Sequence, residues 1–142
     1  ISAITLAEEL ALYQVNLCGT LNLLQALSTR NAVPAKVIIA SSANIYGNTS
    51  NSPIDETATP APANHYAMSK LAMEYLLEGY RKCLPLVVIP KLVNHFSKHS
   101  EWVELGNKSI EREFNDVRTV CGAYLKLMVH GVNQEIYNIC SS

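Results

Sequence analysis

Two short apolar runs, each bounded by turn residues, constrain the fold of this chain more than any other feature. They cover residues 36–40 and 85–89, and a segment with helical spacing of its apolar side chains, about 63–82, lies between them. Continuous apolar runs of this length are typical of strands that are buried on both faces. Strands that alternate with helices predict an α/β fold built on a parallel sheet.

The same patterns predict the other elements. Apolar residues recur at spacings of three and four over about 4–29, which predicts one helix. Proline is favoured in the first helical turn, so Pro90 is expected to begin a helix directly after the second strand. The remaining predictions are a loop over 42–62, short strands at 103–105 and 136–139, and a helix over about 116–129.

Composition argues against two classes of partner. The 142 residues carry a formal net charge of −1, so electrostatics gives no reason to expect nucleic acid or an anionic membrane surface. The sequence has no uncharged apolar run of about 18 residues, so no membrane-spanning helix is expected. A hydrophobic content of 49% and a charged content of 16% are those of an ordered globular chain, long enough for one domain.

The four cysteines are widely spaced, with no C-x-x-C pair: Cys18, Cys83, Cys121 and Cys140. We interpret them as buried or half-buried thiols of a reducing compartment and predict a cytoplasmic protein. His95 and His99 lie four residues apart, but without the glutamate of an H-E-x-x-H motif they are assigned to a solvated helix face. No metal site is therefore expected.

Residues 66–70, Tyr-Ala-Met-Ser-Lys, bring together a candidate acid/base pair. Positions i and i+4 share a helix face, so Tyr66 and Lys70 are expected to lie one turn apart. A free tyrosine titrates near pH ~10, and a lysine charge ~6 Å away favours the phenolate by about two pK units at an effective dielectric of ~20. A second positive charge, such as an oxidised nicotinamide ring, would supply the rest. On spacing alone, the alternative is a solvated helix face.

Ser41 and Ser42 close the first apolar run. Ligands bind at the carboxyl ends of parallel strands, so the Ser42 hydroxyl is predicted to donate to a substrate oxygen or to the Tyr66 oxygen. The alternative is a strand-end serine that satisfies a turn.

Seven segments occur in the order of a known family: 16–24, 41–47, Asp55-Glu56, Pro60, 66–70, 112–118 and 137–142. Together they resemble the extended short-chain dehydrogenase/reductases, the NAD(P)-dependent epimerases, dehydratases and reductases of nucleotide sugars. The resemblance covers nearly the whole chain and is nearest to the branch of GDP-mannose 4,6-dehydratase and GDP-4-keto-6-deoxymannose reductase.

The resemblance implies roles for seven residues. Ser42, Tyr66 and Lys70 would be catalytic. Asn16 and Ser41, together with Tyr66 and Lys70, would contact NAD or NADP. Ser42, Asn44 and Arg112 would contact a nucleotide-sugar substrate. For Asn16 the alternative is the polar face of a helix, and for Arg112 it is a surface ion pair with a neighbouring carboxylate.

Two family segments are missing from this sequence. Its six glycines form no G-x-x-G-x-x-G turn for a dinucleotide pyrophosphate, and no R-x-F-N-x-x-G segment follows residue 89. We therefore predict a partial Rossmann-like sheet that lacks the N-terminal dinucleotide-binding half. Residues 1–89 would be the C-terminal half of that core, and 90–142 a remnant of the substrate domain with the closing strand. An open strand edge favours a homodimer.

The predicted function is hydride transfer at sugar C4 by an NAD(P)-dependent nucleotide-sugar oxidoreductase or epimerase. Two alternatives stay open: a catalytically silent remnant that serves in binding or assembly, and a 4,6-dehydratase. Dehydratases of the family resemble one another in carrying a glutamate where this sequence has Asn44. An amide cannot take up the C5 proton, so Asn44 argues against dehydration.

Overall fold

A three-stranded parallel sheet lies at the centre of the described part of the chain. The computed structural model describes residues 6–32, 34–47, 54–84, 87–92 and 117–139. Strands β1 (Val37–Ile38), β2 (Val87–Leu92) and β3 (Ile136–Ile139) lie side by side in chain order. β1 pairs with the first two residues of β2, β3 pairs with the last four, and both pairings are parallel. The strand predicted at 103–105 lies outside the described residues.

Helices connect these strands. α1 (Leu6–Tyr13) and α2 (Gly19–Ser28) are joined by one π-helical turn, Gln14–Cys18, so the helix predicted over about 4–29 is continuous between residues 6 and 28 but widens in the middle. α3 (His65–Glu78) follows β1, and α4 (Val117–His130) precedes β3. None of the helices in the described ranges is both long and apolar enough to cross a membrane.

The start of α3 is fixed by a side-chain cap. Asn64 is extended, and its Oδ1 accepts a hydrogen bond of 2.9 Å from the backbone N–H of Ala67. This cap satisfies one of the N–H groups that a helix leaves unpaired at its first turn. The helix ends before Gly79, a few residues short of the predicted end near 82.

The core lies where α2 and α3 cover β1. Its buried members are all aliphatic or thioether side chains: Leu24, Ile39, Met73, Leu77 and Leu84. Because Met73 and Leu77 lie one turn apart, they form one apolar stripe of α3 that faces the sheet. This packing holds α3 beside the carboxyl end of β1.

The prediction that Pro90 begins a helix is wrong. Residues 87–92 form β2, and Pro90 is paired in register with Tyr137 of β3. Proline is disfavoured in strands that are paired on both sides because it lacks an N–H. The pairing of β1 ends at Val88, so at Pro90 the strand has a neighbour on one side only within the described sheet.

The prediction of buried or half-buried cysteines is also wrong for the described ones. Cys18, Cys83 and Cys121 are unpaired and exposed, and Cys140 lies outside the described residues. Cys18 ends the π-helical turn and Cys121 lies on α4, whose described residues are all partly or fully exposed. The sequence shows how many cysteines the chain has, and cysteine is usually buried. Whether a particular cysteine faces the core depends on how its helix packs, which the sequence pattern did not show.

Candidate active site

The carboxyl end of β1 leads directly into the candidate site. Ser42 is extended (φ −149°, ψ 141°) and precedes a short 3₁₀ helix, Ala43–Tyr46. Its Oγ accepts a hydrogen bond of 3.3 Å from the backbone N–H of Asn44, so the residue satisfies a turn. A hydroxyl that accepts one hydrogen bond still carries its own proton. The half-buried Ser42 thus retains the donor that its predicted role requires.

Gly47 allows the chain to turn sharply after this 3₁₀ helix. Its φ is +68° and its ψ is −152°, a backbone conformation that only glycine adopts without strain. A Cβ at this position would lie 2.0 Å from the carbonyl oxygen of Ala61. The N–H of Ala61 in turn donates a 2.8 Å hydrogen bond to the carbonyl of Ile45. The segment before α3 is therefore bonded directly to the segment that follows Ser42.

α3 presents the predicted acid/base pair. Tyr66 lies in its first turn with 37% of the residue exposed, and Lys70 lies one turn further on and is half-buried. Lys70 Nζ donates a 3.0 Å hydrogen bond to the carbonyl of Ala40, two residues before Ser42. Burial lowers the pKa of Lys70 because desolvation disfavours the ammonium form. The structure thus brings the helix of Tyr66 and Lys70 against the strand end that carries Ser42.

Asn16, in the segment between α1 and α2, contacts the same helix. It lies in the π-helical turn, and its Nδ2 donates a 3.0 Å hydrogen bond to Ser69 Oγ. Ser69 is fully buried and donates a 2.8 Å hydrogen bond to the backbone carbonyl of Tyr66. π-helical turns occur frequently at functional sites. Asn16 is therefore linked to the backbone of Tyr66, and its predicted cofactor contact stays a prediction.

Sequence reasoning missed Glu74. Ser41 and Glu74 are both buried, and the Ser41 hydroxyl donates a hydrogen bond to Glu74 Oε1. The available signal was the spacing, because Tyr66, Lys70 and Glu74 follow one another at intervals of four on one helix. The predicted contact between Ser41 and the cofactor stays a prediction.

A cavity of about 340 Å³ is lined by residues 56–60, by α3 and by Ile136 at the start of β3. Glu74, Tyr75 and Glu78 contribute to its wall. Ser42, Tyr66 and Lys70 do not line it, whereas Glu74 in its wall is bonded to the predicted site residue Ser41.

Besides Ser42, two further residues are predicted to contact the substrate. Asn44 is exposed in the 3₁₀ helix, two residues after Ser42, and its predicted substrate contact stays a prediction. Arg112 lies outside the described residues.

A second set of contacts holds the start of α3 against α1. The hydroxyl of Tyr13 lies 3.0 Å from His65 Nδ1, and Glu9 Oε1 lies 3.6 Å from His65 Nε2. The rings of Tyr13 and His65 meet edge to face, with centroids 6.0 Å apart. His65 precedes Tyr66, so these contacts also fix the turn from which Tyr66 projects.

The arrangement supports proton transfer at a strand end. It combines a phenol, an amine with a lowered pKa and a hydroxyl on two elements that are hydrogen-bonded to each other. Parallel α/β sheets bind ligands at this edge. The described fold and site define a Rossmann-type α/β protein with a Tyr–Lys pair.

Comparisons with known proteins agree with this class. The family model described as GDP-mannose 4,6 dehydratase matches residues 5–103. The GDP-6-deoxy-D-talose 4-dehydrogenase of Aggregatibacter actinomycetemcomitans is 32% identical over 94% of this chain and 51% of its own length. The GDP-6-deoxy-D-mannose reductase of Pseudomonas aeruginosa is 34% identical over 90% of this chain and 50% of its own length.

A solved structure supports the same assignment. The P. aeruginosa protein RMD, complexed with NADPH, superimposes with a TM-score of 0.77 at 34% identity, over 91% of this chain and 53% of its own. The chain belongs to the GDP-mannose 4,6 dehydratase family, within the extended short-chain dehydrogenase/reductases. The predicted family is confirmed. The chain spans about half the length of the curated relatives named above.

Proposed function

We propose that the protein transfers hydride between C4 of a GDP-linked 6-deoxy sugar and NAD or NADP. The observation that carries this proposal is the hydrogen bond from Lys70 to the Ala40 carbonyl, because it holds the Tyr–Lys helix at the strand end of Ser42. Both curated relatives are named for oxidation or reduction of GDP-6-deoxy sugars. Their names support this substrate class for the present chain.

Each of three side chains has one task in the oxidation direction. The Tyr66 phenolate accepts the proton of the C4 hydroxyl while the C4 hydrogen leaves with its electron pair as hydride, which forms the 4-ketone. Lys70 lies one turn from Tyr66, and its positive charge favours the phenolate. Ser42 donates a hydrogen bond to the reacting oxygen. NAD or NADP, when bound, accepts the hydride in this direction and supplies it in the other.

The described residues suit the nicotinamide end of the cofactor. Lys70 has three N–H donors and gives one of them to Ala40, so further donors are available for a ribose hydroxyl. Tyr66 is exposed at 37%, so a ligand has access to this residue. The pyrophosphate needs a glycine-rich turn, and we propose that a part of the protein outside these 142 residues supplies it.

The contacts of two carboxylates favour redox chemistry over dehydration. Asp55 accepts hydrogen bonds from the hydroxyl and the backbone N–H of Thr57, which lower its pKa and make it a weaker base. Glu56 Oε1 accepts a 2.7 Å hydrogen bond from the backbone N–H of Asn138 on β3. Asn44 is an amide and cannot take up a proton, and both carboxylates are engaged in these contacts, which argues against C5 deprotonation by any of the three residues.

The homodimer predicted from the sequence also stays a proposal. Large apolar side chains are exposed on α1, the π-helical turn and α3, among them Leu10 at 55%, Val15 at 71% and Tyr75 at 65%. A second copy of the chain would cover such a surface. Sedimentation of the full-length protein at the mass of one chain would contradict it.

The substrate assignment is tested with the full-length protein and two kinds of substrate. GDP-6-deoxy-D-mannose or GDP-6-deoxy-D-talose, given with NAD or NADP, should produce the reduced nicotinamide and a 4-keto sugar in equal amounts. GDP-mannose should yield no 4-keto-6-deoxy product. Formation of that product with solvent hydrogen at C5 would show dehydration and overturn the proposal.

A further inference from the structure

Glu74 is a buried carboxylate that the proposed chemistry does not use. It is 7% exposed, and its Oε1 accepts a hydrogen bond from the hydroxyl of Ser41, which is itself 8% exposed. A carboxylate is costly to bury unless polar groups satisfy it. Tyr66, Lys70 and Ser42 account for proton transfer without it, so its burial calls for another explanation.

The partners of Lys70 and Glu74 are consecutive residues. Lys70 and Glu74 lie one turn apart on α3, and they bond to the carbonyl of Ala40 and the hydroxyl of Ser41, respectively. One face of the helix therefore fixes two neighbouring residues of the strand end. The next residue along the chain is Ser42.

Fixing Ser41 also fixes the direction of Ser42. Successive side chains of an extended segment point to opposite sides, and Ser42 is extended. With the Ser41 side chain held on Glu74, the Ser42 hydroxyl lies at the 3₁₀ turn, where it meets the N–H of Asn44. If Ser41 were released, the strand end could rotate and the Ser42 hydroxyl would lose its orientation.

We propose that Glu74 is a positioning residue that holds Ser42 in its reactive orientation through the Ser41 hydroxyl. This inference rests on the proposed function, in which Ser42 donates to the reacting oxygen. It assigns Glu74 a role in turnover and none in contacting substrate or cofactor.

Single variants of the full-length protein give the first test, with oxidation of GDP-6-deoxy-D-mannose as the assay. Glu74→Leu removes the acceptor and should lower kcat about 10-fold or more with little change in KM. Glu74→Gln keeps an oxygen that accepts from Ser41 and should retain kcat within about 3-fold. Glu78→Leu, an exposed carboxylate one turn further on, is the matched control and should leave kcat unchanged.

A double-mutant cycle separates positioning from a general loss of structure. In a Ser42→Ala background there is no hydroxyl left to orient, so Glu74→Leu should cost less than about 2-fold in kcat. If Glu74→Leu does not fold, Ser41→Ala breaks the same hydrogen bond with a smaller change and enters the same cycle. The inference is supported if Glu74→Leu lowers kcat in the protein that retains Ser42 and not in the Ser42→Ala variant.

Two other outcomes overturn it in different ways. If Ser42→Ala lowers kcat but Glu74→Leu costs the same factor in both backgrounds, the proposed function stands and the positioning role is wrong. If Ser42→Ala leaves kcat unchanged, Ser42 has no role in turnover, and the proposed mechanism and the inference both fail.

Discussion

α3 and α4 have the same length, 14 residues, yet the chain holds them in different ways. α3 buries five side chains and is bonded through Lys70 to the strand end and through Ser69 to Asn16. α4 buries none of its residues, and Leu125 and Val129 are 70% and 71% exposed. The described residues therefore hold the site helix through buried side chains and hydrogen bonds, whereas they leave apolar side chains of α4 exposed.

The largest expected effect on stability comes from replacing one glycine in the site region, and a glycine on α4 provides the comparison. Gly47→Ala in the site region must force a Cβ to 2.0 Å from the Ala61 carbonyl oxygen at a φ of +68°, and we expect a loss of about 3 kcal/mol or more in the free energy of unfolding. Among the described residues, nothing beyond its own helix backbone and chain neighbours lies within 4 Å of the Cβ position of Gly122 on α4, so Gly122→Ala should gain about 0.5–1 kcal/mol through helix propensity. Urea unfolding of the full-length variants measures both.

The opposite ranking would contradict the description of these regions. A Gly47→Ala protein as stable as the wild type would mean that the turn before α3 is not tightly packed. A marked loss in Gly122→Ala would mean that α4 is closely covered at this point.

A smaller loss of stability is expected from removing the lysine that contacts the C-terminal end of α4. Lys36 Nζ donates to the carbonyls of Leu127 and Gly131 at 3.2 and 2.7 Å, at the C-terminal end of the helix. Lys36→Met should leave those carbonyls without the ammonium and cost about 0.5–1.5 kcal/mol locally. Hydrogen exchange should then quicken in the last turn of α4 and stay unchanged in α3. The exposed Lys126→Met is the control, and equal protection in both variants would show that Lys36 does not hold the helix.

The smallest effect is a pH dependence at Lys70. Its pKa is lowered in the folded state because burial disfavours the charged form. Between that pKa and the unfolded value near ~10.4, the unfolded state binds more protons, so stability rises with pH there. The wild type should therefore gain stability relative to Lys70→Met as the pH rises through the alkaline range toward the unfolded value near ~10.4, and the gain should level off above it. A difference in Tm between the two proteins that stays constant, or changes in the opposite direction, would contradict the burial of this amine.

Periodicity sufficed to predict the helices and strands that have strong local patterns. The strand at 136–139 is found with the predicted bounds, and α3 and α4 are found within a few residues of theirs. Pro90 was placed wrongly because its local preference for a first helical turn competes with strand pairing. That pairing involves Tyr137, which is distant in the sequence.

The sequence also predicted only those parts of the site that depend on local spacing. Spacing placed Tyr66 and Lys70 on one face, and the apolar run placed Ser42 at a strand end. The contacts of Glu74 with Ser41 and of Asn16 with Ser69 join residues 33 and 53 positions apart, and only the packing of helix on strand brings them together. No local pattern carries that information.

The central claim is that Tyr66 transfers the proton at C4, and one substitution tests it most directly. In the full-length protein, Tyr66→Phe should lower kcat for oxidation of a GDP-6-deoxy sugar by about 10²–10⁴ while cofactor affinity changes little. Tyr75→Phe, an exposed tyrosine on the same helix, is the matched control and should turn over normally. Near-normal turnover of Tyr66→Phe, with NAD or NADP bound as in the wild type, would contradict the account.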